Sequence, residues 1–148
     1  MNLLQKINTD LKNAMLEHNE VKKLVISGIK SAITYKKVEL KTKEELSDNQ
    51  IMDIISTQIK QRDDAINLYL KANDQSRAKE EQAQRDILAS YLPKPLSLDE
   101  LASVVKKVIQ SGNYEVRDFG KIMSEVKAWV GYRATGAEIA NAIKRELK

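Results

Sequence analysis

Apolar residues return with the period of a helix over most of the chain. Leu3, Leu4, Ile7, Leu11, Ala14 and Met15 form one such run. After a polar break at Glu17 to Asn19, Val21, Leu24, Val25, Gly28, Ile29, Ala32 and Ile33 share one face of a second helix. Glu39 to Glu45 reads as a polar connection. Ser47 with Gln50 then makes a capping box that opens a long helix, whose stripe is Ile51, Ile54, Ile55, Ile59, Ile66 and Tyr69. Asn73-Asp74 predicts a turn, and Ala83, Ile87, Leu88 and Tyr91 mark a fourth helix. Pro93-Lys94-Pro95 cannot continue a helix and biases the residue before each proline to an extended form, so it divides the chain.

Beyond the prolines, Ser97 with Glu100 is another capping box, followed by Leu98, Leu101, Val104, Val105, Val108 and Ile109 and a stop at Ser111-Gly112. Phe119, Ile122, Met123, Val126 and Val130 belong to a further helix, and Ile139, Ile143 and Leu147 to the last. Nothing alternates with period two for long enough to make a sheet. The expected class is all-α, an N-terminal four-helix domain at 1–92 followed by a small three-helix domain at 96–148.

Composition narrows the chemistry. The 148 residues, 42% hydrophobic and 31% charged, suffice for one ordinary domain or two small ones. With no cysteine and only His18 among histidines, there is no disulfide framework, no cysteine-ligated metal and little for a histidine site. His18, in a polar break, reads as a surface residue. No stretch approaches the ~20 apolar residues of a membrane span, and the N-terminus does not resemble a signal peptide. A cytoplasmic protein without membrane partners or cofactors is expected. No nucleophile with a neighbouring base, glycine-rich phosphate loop or carboxylate pair can be assembled, which disfavours catalysis by this chain alone.

The net charge of +4 is unevenly spread. Between residues 22 and 43, seven lysines face only Glu39, whereas residues 44 to 100 tilt acidic. Lys23, Lys30 and Lys37 form a stripe nearly opposite Val25, Ile29 and Ala32. Solvation alone accounts for lysines on an outer face; the lack of acidic partners also suits a phosphate backbone. Arg62 falls within the Ile55, Ile59, Ile66 and Tyr69 stripe. Either it pairs with Glu80 or Glu81 of the next helix, or it holds a ligand phosphate or carboxylate. Near the C-terminus, Thr135 and Glu138 make a capping box just after Arg133, so free helix-start amides lie beside a guanidinium. The arrangement suits an anion, and a plain interhelical turn uses the same residues.

Gly120-Lys121-Ile122-Met123 followed by Arg133-Ala134-Thr135-Gly136 resembles the signature of the GatB/YqeY domain family. Gln61-Arg62, Ala65-Ile66, Lys79-Glu80-Glu81, Tyr91-Leu92-Pro93, Leu96-Ser97 and Glu100 follow in the order of the free-standing YqeY proteins, so the resemblance spans the chain. The sequence departs from the pattern at Tyr132, where a glycine is usual, at Thr135, where an aspartate is, and at Ala128, Trp129 and Gly131. The resemblance implies an all-helical relative of the GatB tail, the part of the aspartyl/glutamyl-tRNA amidotransferase that helps to hold tRNA. It therefore implies a tRNA-binding or amidotransferase-associated accessory module, with Lys121, Arg133, Thr135 and Gly136 as the anion-binding turn and the Lys23, Lys30 and Lys37 row assisting. The partners would be tRNA or a tRNA-modifying or amidotransferase protein. The alternative is a protein-interaction module that uses the acidic long helix and Trp129, without RNA. A carbon–nitrogen ligase activity with glutamine as amido donor would follow from the family alone.

Overall fold

The computed structural model describes residues 1–147. Seven α-helices occur among them: α1 (Leu3–Leu16), α2 (Glu20–Glu39), α3 (Asp48–Lys71), α4 (Gln75–Ala89), α5 (Leu98–Gly112), α6 (Phe119–Val130) and α7 (Gly136–Glu146). Short 3-10 turns at Val116–Asp118 and Gly131–Arg133 flank α6. No strand is present among the described residues, and the class is all-α.

Local chemistry sets the helix ends. Asn2 with Gln5, Ser47 with Gln50, Ser97 with Glu100 and Thr135 with Glu138 are reciprocal capping boxes, each satisfying two backbone donors that the helix start would leave unpaired. The far ends of α1, α2, α3 and α5 share a second device. His18, Lys41, Asn73 and Asn113 have φ between 51 and 58, and the N–H of each bonds the carbonyl three residues back. The next N–H reaches five back, from Asn19 to Ala14, Thr42 to Lys37, Asp74 to Tyr69 and Tyr114 to Ile109. These paired bonds are the Schellman arrangement, which reverses the chain while occupying the last carbonyls.

The backbone packs into two compact units, Met1–Leu92 and Pro93–Lys148. In the first, α3 and α4 form a long pair, and α2 packs against α1, α3 and α4. Ile7, Ile26, Ile29, Ile51 and Ile55 are fully enclosed, joined by Ile33, Leu46, Ile59, Leu88 and Tyr91. Each such side chain contributes about 1.5–3 kcal/mol by burial, against about 0–1 for an exposed ion pair, so this cluster holds the unit together. Polar ties surround it. The Tyr91 hydroxyl donates to Asp10 at 2.7 Å, and the Lys6 ammonium lies 5.5 Å from the centre of the Tyr91 ring. Past Ile59, α3 meets α4 through Arg62 with Glu81 and through Asp63 with Arg85.

The buried face of α2 differs from the face expected. Val21 and Leu24 are exposed, whereas Ile26 is completely enclosed. At 100° per residue the observed face, Val25, Ile26, Ile29 and Ile33, is centred about 70° from the expected one. The cause is tertiary: α1, α3 and α4 converge on the Ile26 and Ile33 side.

In the second unit α5, α6 and α7 pack pairwise around Leu101, Val105, Ile122, Val126, Ile139 and Ile143. Leu96 N–H donates to the Arg133 carbonyl at 2.9 Å, fastening the segment after the prolines to the turn before α7. At the other end, the Tyr114 hydroxyl donates to the Glu125 carboxylate.

Candidate functional site

The turn between α6 and α7 is built from its backbone outward. Gly131 has φ 56 and ψ −126, a conformation that side chains disfavour, and it breaks α6 after Val130. The 3-10 turn then brings Arg133 to the surface, Ala134 is extended, and Thr135 caps α7. The Thr135 hydroxyl accepts from the Glu138 N–H at 3.1 Å, while the Glu138 carboxylate accepts from the Thr135 N–H at 2.9 Å. The Gly136 and Ala137 N–H groups lie in the first turn, where no intrahelical carbonyl reaches them.

Three cations surround this region. Arg133 Nε donates to the Lys94 carbonyl at 3.4 Å, a bond that uses one of the five guanidinium donors. The Lys127 ammonium lies 3.9 Å from the point where a Cβ on Gly136 would stand, an ordinary contact distance that places this cation over the start of α7. Glu100 provides the opposing charge near Lys94 and Arg133. Hydrogen bonds from the Ser97 backbone and side chain hold its carboxyl below the usual glutamate range, with help from the Arg133 and Lys94 charges. Positive charge thus exceeds negative by one across Lys94, Lys127 and Arg133 against Glu100 and Glu138.

The structure places the other sequence-derived candidates as follows. Arg133, Thr135 and Gly136 come together. Lys121 is exposed on α6, about 9 Å along the axis and about 120° around the helix from Lys127. Lys127 and Lys94 escaped notice in the sequence because their closeness to Gly136 and Arg133 comes from chain reversal, not from helical spacing. Lys23 is exposed, while Lys30 and Lys37 are half-buried on the shoulder of α2 facing α1. Arg62 Nη1 donates to Glu81 at 2.8 Å and to the Gln84 side-chain oxygen at 3.2 Å; Glu80 is exposed. Among the described residues no group of three acidic, histidine or cysteine side chains could hold a metal ion. Among the described residues no helix is long and apolar enough to cross a membrane.

The family profile described as Yqey-like protein matches residues 4–147. Altered inheritance of mitochondria protein 41, mitochondrial, from Saccharomyces cerevisiae is 30% identical over 150 residues, covering 94% of this chain and 80% of the relative. The protein of the same name from Lachancea thermotolerans is 26% identical, covering 96% and 79%. The Vanderwaltozyma polyspora protein is 33% identical over a shorter stretch, 58% of this chain and 46% of the relative. These names overturn the cytoplasmic location expected from composition, since the relatives are mitochondrial by name. A chain without cysteine or a long apolar run is compatible with more than one compartment, so composition had no power to choose.

Proposed function

Because the chain belongs to the YqeY-like family, we propose that it is an accessory module whose C-terminal unit holds an RNA backbone, tRNA in the first instance, at the turn before α7. One observation carries this reading: the Lys127 ammonium lies beside Gly136 at the first amides of α7, in the turn that Arg133 enters just before the Thr135 cap. Fixed N–H donors, a dipole's positive end and two cations are complementary to a phosphate oxygen. Lys94 extends the positive surface, and Lys121 is a more distant contributor along α6. The N-terminal four-helix and C-terminal three-helix units act on this reading as separate domains, 1–92 and 96–148, each with its own core. Association with a tRNA amidotransferase would use the module as a grip on tRNA, with the ligase chemistry supplied elsewhere.

The test is tRNA binding by the purified chain over a salt series. Arg133→Ala is expected to weaken binding about tenfold, and Lys127→Ala to lower the log–log salt slope by about one. Arg133 also ties down the Lys94 carbonyl, so the exposed Lys127 supplies a variant free of that structural bond. Binding no tighter than that of an unrelated protein of similar pI, or indifference to both substitutions, refutes the reading.

A further inference from the structure

Lys30 and Lys37 of α2 do not project from a bare outer ridge. Lys30 and Lys37 line two depressions of about 380 and 220 Å³ between α1 and α2, which share Asn8 and Lys30 and so form one groove. Its floor is apolar, with Leu4 at one end and Leu11, Met15 and Leu16 toward the other. Met15 and Leu16 remain 53% and 69% exposed. Lys12, Lys30 and Lys37 supply the rim, opposed by the single carboxylate of Glu45.

We infer that this groove receives an acidic amphipathic helix of a partner protein. From Leu4 to Leu16 the floor runs about 18 Å, the length of three helical turns. A helix of about twelve residues would seat one apolar stripe on that floor and bring flanking glutamates to the ammonium groups, the helix-in-groove mode of recognition. Charge complementarity selects the sign of the partner: three cations against one anion favour carboxylates and repel a basic helix. The apolar floor selects a peptide over RNA. Phosphates gain nothing from leucine and methionine, and among the described residues the lining holds no aromatic ring on which bases could stack.

The test uses the full chain and a fluorescent synthetic peptide of about fourteen residues, with leucines along one helical face and glutamates on its flanks. Controls are a scrambled peptide and one with lysines in place of the glutamates. The acidic amphipathic peptide is expected to bind at least tenfold tighter than the scrambled one. Met15→Glu, at an exposed position, is expected to weaken it about tenfold while leaving helical content unchanged. Combined Lys12→Glu, Lys30→Glu and Lys37→Glu should transfer preference to the lysine peptide. Equal binding of acidic and scrambled peptides overturns the inference. So does a triple reversal that removes tRNA binding but leaves peptide binding intact, which would assign the row to RNA.

Discussion

Replacing Arg62 by methionine keeps the aliphatic stem and removes only the guanidinium. The loss falls on Glu81, whose side chain is 17% exposed against 32% for Arg62, and on Gln84, whose side-chain oxygen also accepts from it. An exposed pair is worth about 0–1 kcal/mol, whereas stranding one partner of a fully buried pair costs about 3–5. Gln84 can rotate its amide to donate to Glu81, which limits the damage. We therefore expect about 1.5–2 kcal/mol, between the two limits. For a unit of this size that corresponds to a fall of roughly 6–16 °C in melting temperature. Trp129 is the only tryptophan and lies in the second unit, so fluorescence follows that unit while circular dichroism follows all the helices. Arg62→Met should lower the circular dichroism midpoint in guanidinium and leave the Trp129 midpoint in place. A double-mutant cycle with Glu81→Gln should give about 1 kcal/mol of coupling. An unmoved circular dichroism midpoint with zero coupling refutes the energetic role of the pair; equal movement of both midpoints refutes the independence of the two units.

The other expectations concern pH, capping and the boundary between units. Burial, with the hydrogen bond and charge of Asp10, pushes the Tyr91 phenol above its ordinary 10.0, so the folded state keeps a proton that the unfolded chain loses; stability from this group is complete below pH 10 and declines above it. Unfolding free energy between pH 8 and 11.5 should thus fall more steeply for the parent than for Tyr91→Phe, and parallel curves would contradict this. Ser97→Ala removes the α5 cap and should destabilise the second unit by about 0.5–2 kcal/mol, read at Trp129. Glu100, held low first by the Ser97 backbone N–H and then by the Ser97 side chain, should titrate below free glutamate in carboxyl NMR, and should return only part of the way in that variant, which keeps the backbone donor. Limited proteolysis should cut first around residues 93–96 or in the connection at 40–47, and early cleavage inside α3 would contradict the separate cores.

Features governed by neighbours in sequence were legible before any coordinates. Ser47 with Gln50, Ser97 with Glu100 and Thr135 with Glu138 announce their helices because a cap and its reciprocal partner sit three residues apart. The orientation of α2 was not legible in the same way. Val21, Leu24 and Ala32 extend one apolar side and Ile26 marks another, and only the arrival of other helices decides which is enclosed. That rotation also changes the meaning of Lys30 and Lys37, from an outward row to the rim of a groove. At the α7 turn Arg133 was legible because it adjoins the cap, whereas Lys127 reaches Gly136 through a reversal that no periodicity encodes.

The left-handed helix ends leave the molecule a stability reserve. Asparagine tolerates this conformation by local hydrogen bonding, so Asn73 and Asn113 are near-optimal, but His18 and Lys41 hold ordinary side chains where they cost about 1–2 kcal/mol. Glycine would relieve that strain at an entropic cost of about 0.5–1 kcal/mol, a net gain of up to about 1.5 kcal/mol at each joint. His18→Gly and Lys41→Gly together would thus give a sturdier background in which charge reversals on the first unit can be compared at equal foldedness.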